Sequence, residues 1–388
     1  MIYHEQIESI IDTGLLREFK QVVPEESGRC IYEGRELLNL TSNDYLGLAT
    51  NTSLKQDFMQ EVMDDPKLLG FGASSSRLLT GNSDLYDDAE YLLKMNYSAE
   101  AALFFNSGYH ANMGILPSIS EKKDLILSDK LCHASIIDGI RLSQADHLRY
   151  RHLDYEQLMM ILQKKRHLYQ RVFIVSESLF SMDGDTADLA RLVTIKERFN
   201  CYLYIDEAHA VGAIGENGLG VCEQQNVVSK IDLIVGTLGK AYASIGAFVI
   251  LSQTLKVLLV NKARTLIYTT ALPPINMAWN KFVIRQMIQF RAQRINLSKL
   301  SHHLNEELKK KVYKVHMSHI VPIMIGNNQS AVELANHLRK KGFLVFPIRP
   351  PTVPKNTARL RISLTANMHL SDLNEFVNLI PEYRTYEV

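Results

Sequence analysis

Two short stretches decide the fold: Asp232-Leu-Ile-Val-Gly-Thr-Leu-Gly-Lys240 and, upstream of it, Tyr204-Ile-Asp206-Glu-Ala-His209. Each is a brief apolar run of the kind found in buried parallel strands, and each ends abruptly in polar residues. In an open α/β sheet, ligands bind at the carboxyl ends of the strands. The two stretches therefore predict neighbouring ends of strands that direct their polar side chains towards one crevice.

The lysine and the aspartate suit one kind of cofactor chemistry. A lysine amine can form a Schiff base, and an aspartate can hold a pyridinium nitrogen; pyridoxal phosphate needs both groups. For either stretch alone, a surface salt bridge between two loops is the better explanation. The two stretches together favour a cofactor site at Lys240 and Asp206.

Other apolar runs alternate with helix-like segments between about residues 45 and 270. The predicted strands cover residues 101–105, 124–127, 147–150, 172–176, 201–205, 233–236 and 247–251. Such alternation is typical of an α/β fold whose mostly parallel sheet has helices on both faces. We therefore predict a large α/β domain with a seven-stranded sheet over residues 45–275.

Shorter elements flank this predicted domain. An N-terminal helix over residues 1–20, with Ile7, Ile10, Ile11 and Leu15 on one stripe, and a β-arm around the Glu33-Gly34-Arg35 turn make up residues 1–44. After Pro273-Pro274, a smaller α+β domain is predicted over residues 276–388. It contains a helix at 330–341, a strand at 343–347, a segment at 358–365, and a last helix capped by Ser371.

The composition excludes several classes of protein. The chain has 388 residues, is 46% hydrophobic and carries a net charge of +1, which argues against a nucleic-acid partner. Its four cysteines lack C-x-x-C spacing, so reduced thiols are expected. The N-terminus has no secretory pattern, and no apolar stretch approaches the roughly 18 residues of a membrane span. We expect a cytoplasmic protein with no membrane partner.

Three further segments contain candidate site residues. Ser107-Gly108-Tyr109 follows a predicted strand and begins a helix, where free backbone N–H groups can hold a phosphate; a simple capped turn explains it equally well. His133 could lie flat against a heteroaromatic ring, although the residues alone favour a hydrogen-bonded core histidine. The loop after residue 176 offers Ser181 to the crevice, and its aspartates lack the partner carboxylates of a metal site. The glycines near residues 70–72 follow no strand, which argues against a dinucleotide fingerprint.

Taken in order, these motifs resemble the α-oxoamine synthases, a branch of the aspartate-aminotransferase-like pyridoxal-phosphate enzymes of fold type I. The resemblance covers nearly the whole chain. It departs from the family pattern where Ser74-Ser-Ser76 replaces a glycine-rich stretch. The matching motifs are Thr41-Ser-Asn43-Asp-Tyr-Leu-Gly47, Ser107-Gly-Tyr109, His133, Phe180-Ser181-Met-Asp-Gly-Asp185, Asp206-Glu-Ala-His209, Thr237-Leu-Gly-Lys240, Tyr268-Thr-Thr-Ala-Leu-Pro-Pro274 and Arg359-Leu-Arg361.

The resemblance implies roles for the cofactor site. Lys240 would bind the cofactor and later move the substrate's α-proton, and Asp206 would pair with the pyridinium nitrogen. His209 would hydrogen-bond the phenolic oxygen, and His133 would stack on the ring and contact substrate. The remaining implied cofactor contacts are Ser107, Gly108, Tyr109, Ser181 and Thr237, together with Thr269 and Thr270, one of which would reach the phosphate of a neighbouring subunit in an obligate homodimer.

The resemblance also implies the reaction, a decarboxylative condensation of an amino acid with an acyl thioester. Arg361 would bind the amino-acid carboxylate as a bidentate clamp, with Asn43 beside it. The segment Pro347-Ile-Arg349-Pro-Pro-Thr352 resembles the members of the family that use L-alanine and a pimeloyl thioester, of coenzyme A or acyl carrier protein. Thr352 would bond a substrate group at the mouth of the crevice, and Arg17 would lie near the acyl substrate. Glycine with acetyl-CoA is the alternative pair. A catalytically inactive regulatory subunit is a third possibility, against which the retained Lys240 speaks.

Overall fold

The computed structural model describes residues 2–13 and 15–382, which form two compact units. One comprises residues 1–50, 182–184 and 296–388, and the other comprises residues 51–181 and 185–295. The domain boundaries that the sequence suggests near residues 44 and 275 remain predictions. In the described part of the chain, no helix combines the length and the apolar character that a membrane crossing requires.

The strands are β1 (Val22–Pro24), β2 (Arg29–Tyr32), β3 (Arg35–Asn39), β4 (Ala101–Phe105), β5 (Leu125–Asp129), β6 (Asp146–Tyr150), β7 (Val172–Glu177), β8 (Tyr202–Asp206), β9 (Leu233–Thr237), β10 (Ala247–Leu251), β11 (Ile320–Gly326), β12 (Phe343–Leu344), β13 (Pro347–Ile348) and β14 (Ala358–Ser363).

The α-helices are α1 (Ile2–Asp12), α2 (Thr52–Asp64), α3 (Asp84–Asn96), α4 (Gly108–Ile119), α5 (Ala134–Leu142), α6 (Tyr155–Lys165), α7 (Leu189–Phe199), α8 (Val221–Gln224), α9 (Gln253–Lys262), α10 (Arg264–Ile267), α11 (Pro274–Gln286), α12 (Arg291–Lys310), α13 (Asn328–Lys340) and α14 (Leu370–Leu379).

The larger unit is built on a seven-stranded sheet in the order β4-β10-β9-β8-β7-β5-β6. Strand β10 runs antiparallel to both of its neighbours, and the pairs from β9 to β6 are parallel. All residues of β4, β5, β7, β9 and β10 are buried, as expected of strands with helices on both faces. The predicted α/β fold with a mostly parallel seven-stranded sheet is confirmed. The predicted strands β4 and β10 match the structure, and the ends of the other five differ from it by at most two residues.

Helices α4 and α5 pack closely on one side of this sheet. Their apolar residues Ile115 and Ile136 join Phe105 and Val249 of the sheet in one buried cluster. A Cβ atom on Gly139 would lie 2.2 Å from the carbonyl oxygen of Asn112, so only glycine permits this approach. This contact allows α4 and α5 to pack closely against each other.

The smaller unit contains two further sheets, in the orders β1-β2-β3-β12 and β11-β14-β13. The β2–β3 turn has positive φ at Glu33 (51°) and Gly34 (72°), as the tight hairpin turn requires. The predicted single strand 343–347 is wrong, because β12 pairs with β3 and β13 pairs with β14. Pro347 lacks a backbone N–H, which suits its place on the edge strand β13.

The predicted ends of two helices are also wrong. The helix expected over residues 1–20 ends at Asp12, close to Gly14, a poor helix former, and its Ile7, Ile10 and Ile11 are exposed. The last helix is capped by His369 instead of Ser371, because Asp372 completes a capping box with His369. Its predicted inward residues are buried, namely Leu373, Phe376, Val377 and Ile380.

Candidate active site

One cavity of the larger unit lies where strands β7, β8 and β9 end and helices α4 and α5 begin. Polar and titratable side chains line most of it. The lining residues are Gly108, Tyr109, Asn112, His133, Ser135, Glu177, Asp206, Ala208, His209, Thr237 and Lys240. The structure thus brings together the lysine, the aspartate and both histidines that the sequence proposes for one crevice.

Lys240 and His209 meet in this cavity. Lys240 follows β9 by three residues, and its Nζ lies 2.7 Å from Nε2 of His209. His209 is buried and Lys240 half-buried. The amine of Lys240 can act as a nucleophile, and the imidazole of His209 can accept a proton. The two groups lie within hydrogen-bond distance of each other in a partly closed cavity.

Asp206 ends strand β8 and is held by donors on both oxygens. Asn112 donates from Nδ2 to one oxygen and Ala208 donates its backbone N–H to the other, both at 2.8 Å. Asn112 is itself fixed, because the hydroxyl of Tyr204 donates to its Oδ1 at 2.5 Å. Asp206 is 5% exposed, so these bonds orient a buried carboxylate that faces the cavity.

The first turn of α4 forms the opposite wall. Ser107 is the N-cap and accepts a hydrogen bond from the backbone N–H of His110 at 3.2 Å. The N–H groups of Gly108 and Tyr109 begin the helix, where intrahelical acceptors are lacking. A Cβ atom on Gly108 would lie 3.7 Å from Cβ of Thr237, so the helix start and the end of β9 face each other closely. Such a helix N-terminus favours a phosphate.

His133 is the N-cap of α5 and lines the cavity. Its Nδ1 lies 2.8 Å from the hydroxyl of Ser135, which also accepts from Asn112 at 2.9 Å. Desolvation by the surrounding protein lowers the pKa of the imidazole, against the opposing charge of Asp206. The ring is accessible from the cavity. His133 is therefore not a core histidine, and the interpretation that the residues alone favour is wrong.

Arg361 and Asn43 come together within the smaller unit. Arg361, in β14, donates from Nη1 to Oδ1 of Asn43 at 3.1 Å and to the hydroxyl of Ser363 at 2.6 Å. The hydroxyl of Tyr45 donates to the same Asn43 oxygen at 3.1 Å. Arg361 is 8% exposed. The guanidinium is therefore buried and held by neutral side chains in a fixed orientation.

Arg17 and Thr352 also meet in the smaller unit, although 335 positions separate them. Nη2 of Arg17 donates to the hydroxyl of Thr352 at 2.9 Å, in an exposed position. Thr352 follows two adjacent prolines, Pro350 and Pro351, each of which fixes its own φ. The two predicted substrate contacts are thus hydrogen-bonded to each other, and Thr352 directly follows a segment of restricted φ.

Other predicted site residues lie outside the cavity wall. Asn106 donates from Nδ2 to the hydroxyl of Thr269 at 3.2 Å and to the carbonyl oxygen of Thr270 at 2.7 Å. The predicted cofactor contacts that do not line the cavity are Ser107, Ser181, Thr269 and Thr270.

Sequence reasoning missed several residues of the wall. Asn112 carried a signal, since it is a polar residue four positions after Gly108 and so lies on the same face of the helix. Glu177 also carried one, since it ends strand β7 as Asp206 ends β8. Nothing in the sequence singled out Ser135 or Ala208.

The family model described as aminotransferase class I and II matches residues 35–380. The chain belongs to this family. The curated relative "Putative 8-amino-7-oxononanoate synthase" of Haemophilus influenzae is 49% identical and covers 96% of this chain and 98% of its own length. A relative of the same name from Pasteurella multocida is 47% identical and covers 98% of both chains. Together they confirm the resemblance to the α-oxoamine synthases, which makes the chain a pyridoxal-phosphate-dependent acyltransferase.

Solved structures with the same fold agree. The serine palmitoyltransferase of Sphingomonas wittichii is 28% identical, with a TM-score of 0.88, and covers 97% of this chain and 95% of its own. The 8-amino-7-oxononanoate synthase of Francisella tularensis is 30% identical, with a TM-score of 0.76, and covers 88% of this chain and 96% of its own. A structure of SPT with a PLP internal aldimine also has a TM-score of 0.88, at 26% identity.

Pyridoxal phosphate fits the residues of the cavity. The start of α4 offers backbone N–H groups to a phosphate, and Lys240 offers its amine to an aldehyde. Asp206, anchored on both oxygens, offers a buried negative charge to a pyridinium nitrogen. His133 brings a planar imidazole ring to the cavity wall. The cofactor's anionic, electrophilic and basic parts therefore each have a chemical partner here.

Proposed function

We propose that this enzyme condenses L-alanine with a pimeloyl thioester, of coenzyme A or acyl carrier protein, to form 8-amino-7-oxononanoate. One carbon–carbon bond forms, and carbon dioxide and the free thiol leave. The observation that carries the proposal is 47–49% identity to relatives of that name over nearly the full length of both chains. The free, buried state of all four cysteines supports a reducing, cytoplasmic setting.

Several residues of the chain have separate roles in the reaction at the α-carbon of the amino acid. Bound pyridoxal phosphate supplies an electron sink that stabilises negative charge at this carbon. Lys240 takes the α-proton and later returns one, and His209, 2.7 Å from its Nζ, orients the amine. Asp206 keeps a proton on the ring nitrogen. His133, whose lowered pKa keeps it neutral, covers the ring without adding a second positive charge beside Lys240.

Arg361 binds the carboxylate of alanine in this proposal. Its planar guanidinium matches a carboxylate with two parallel hydrogen bonds, which a lysine amine cannot make. Asn43 and Ser363 hold the guanidinium from one end, so little side-chain entropy is lost when the substrate binds.

The acyl substrate is tested by comparing thioesters and amino acids. We expect alanine with the pimeloyl thioester to exceed both glycine with acetyl-CoA and serine with palmitoyl-CoA in kcat/KM, measured by thiol release. Because one methyl group changes binding by only about 1–3 kcal/mol, some activity with glycine is compatible with the proposal. A preference for either of the other pairs would replace it with the corresponding sister activity.

Arg17 and Thr352 provide a sharper test of the acyl end. We expect Thr352→Val, which removes the hydroxyl that Arg17 contacts, to raise KM for the pimeloyl thioester by roughly 5–30-fold, in line with about 1–2 kcal/mol for one hydrogen bond. KM for alanine should stay unchanged. Arg35→Gln, at an exposed position of β3, is the control. Equal effects on both KM values would remove Thr352 from the acyl end.

We also propose a homodimer with shared active sites, on the resemblance of the Tyr268–Pro274 segment to the family motif. Mixing Lys240→Ala protein with a Thr269→Val/Thr270→Val variant should restore activity, because one site of each hybrid dimer would be intact. Activity of the mixture and sedimentation of the wild type at assay concentration measure this. A fully active monomer would refute the shared site.

A further inference from the structure

Glu177 is a carboxyl group of the cavity wall that the proposed reaction does not use. It is the last residue of strand β7, is 3% exposed and lines the cavity beside His133 and Asp206. A buried acid in this place needs a physical account, since an isolated buried charge is costly.

Glu177 lies side by side with Asp206. The two residues are register partners of the parallel strands β7 and β8. Neighbouring strands are roughly 5 Å apart, and register partners direct their side chains to the same face of the sheet. Two like charges that share a buried site repel each other more strongly than they would in water. The pair therefore strongly favours a single negative charge.

The hydrogen bonds decide which residue carries that charge. Asp206 accepts bonds on both oxygens, from Asn112 and from Ala208. The carboxyl of Glu177 accepts from the backbone N–H of His133, at 2.5 Å to Oε1. Because hydrogen bonds to the ionised form favour ionisation, Asp206 is the better anion of the two. Glu177 is left to keep its proton.

The start of helix α5 is the main opposing influence on Glu177. The N–H of His133 is at the N-terminus of this helix, which favours an anion. This effect is smaller than the combined effect of burial and of the charge on Asp206. Burial raises the pKa of Glu177 most, the charges of Asp206 and Asp129 raise it further, and the ammonium of Lys240 lowers it. The net direction is well above the ordinary value for a glutamate.

We propose that Glu177 is a positioning residue of the cofactor site, a protonated carboxyl that holds the backbone of His133 and leaves Asp206 as the single negative charge beside it. Glu177 accepts from His133 through one oxygen and carries the proton on the other. It thereby fixes the N-cap of α5, and with it the ring that covers the cofactor, without competing with Asp206 for the pyridinium nitrogen.

Three variants separate this role from others. Glu177→Gln keeps the shape, the acceptor oxygen and the absence of charge, whereas Glu177→Ala removes the acceptor. Glu197→Gln, at an exposed position of α7, is the control for a lost surface acid. The readouts are the dissociation constant of pyridoxal phosphate, its absorbance as a function of pH, and infrared spectra of protein labelled with 13C-glutamate at pH 7. None of these readouts depends on the acyl substrate, so they test the role of Glu177 even if the proposed reaction is wrong.

We expect an infrared band of a protonated glutamate in the wild type that is missing in Glu177→Gln and kept in Glu197→Gln. Glu177→Gln should bind the cofactor within about threefold of the wild type, with the same pH dependence of absorbance. Glu177→Ala should bind it roughly 10–100-fold more weakly, because the backbone N–H of His133 loses its acceptor and no longer holds the start of α5. An ionised Glu177 at pH 7, or a Glu177→Gln variant that binds the cofactor well outside threefold of the wild type, would overturn the proposal. Both of these comparisons are made against the wild type, so they hold if the Ala variant fails to fold.

Discussion

Replacing Lys240 with alanine is expected to lower kcat/KM by at least about 10⁴-fold, or about 5.5 kcal/mol of transition-state stabilisation. Two functions are lost together, the amine that binds the cofactor covalently and the base that moves the α-proton. The residue occupies the only such position among the lining residues of the described cavity, where its Nζ lies 2.7 Å from His209. Thiol release from the preferred substrate pair measures the loss.

A second readout isolates the proton transfer from the acyl substrate. Exchange of the α-proton of L-alanine in deuterated water, followed by NMR, needs the cofactor and Lys240 but no thioester. We expect exchange to disappear in Lys240→Ala and to persist in Lys164→Ala, which changes an exposed lysine of α6. Wild-type exchange in the Lys240 variant would remove this residue from the chemistry. Added methylamine should restore part of the exchange if a missing base is the cause.

The sequence predicts the central sheet well for a physical reason. Strands such as β4 and β9 are buried on both faces, so each must be apolar along its whole length, and this leaves a local pattern. The polar residue that ends such a run, as Asp206 ends β8, then marks the edge where ligands bind. At these strands the local composition indicates the position in the fold. The sequence alone therefore predicts a crevice that contains Lys240 and Asp206.

The parts that the sequence does not reveal depend on pairings between distant residues. Phe343 and Pro347 are four positions apart, yet their strands join different sheets, and no local pattern records which partner each finds. The contact between Arg17 and Thr352 likewise crosses 335 positions, and no local pattern in the sequence indicates that these two residues meet. The role of Asn112 also depends on a distant residue, because Asn112 donates a hydrogen bond to Asp206, 94 positions away.

Asp206→Asn is the second variant for which we expect a large loss of activity. The hydrogen bonds of Asp206 show why even a change to a side chain of the same shape is damaging. Asp206→Asn places an amide NH₂ where one oxygen now accepts from either Asn112 or Ala208. Asn112 cannot turn its own amide around without losing the hydrogen bond that the hydroxyl of Tyr204 donates to it. One buried N–H donor therefore faces another donor, which lowers the free energy of unfolding by about 1–3 kcal/mol.

The larger effect of Asp206→Asn is the loss of negative charge beside the pyridine nitrogen. Removing a preorganised charge from a buried site typically lowers a rate by roughly 10²–10³-fold, so we expect α-proton exchange of L-alanine to slow by about 10³-fold while cofactor binding is weakened but retained. Asp57→Asn, at an exposed position of α2, should exchange at the wild-type rate. Cofactor content and exchange are measured on the same samples, which separates a lost cofactor from a cofactor that has lost its anion. An Asp206→Asn enzyme with full cofactor and undiminished exchange would show that the ring nitrogen does not need this charge.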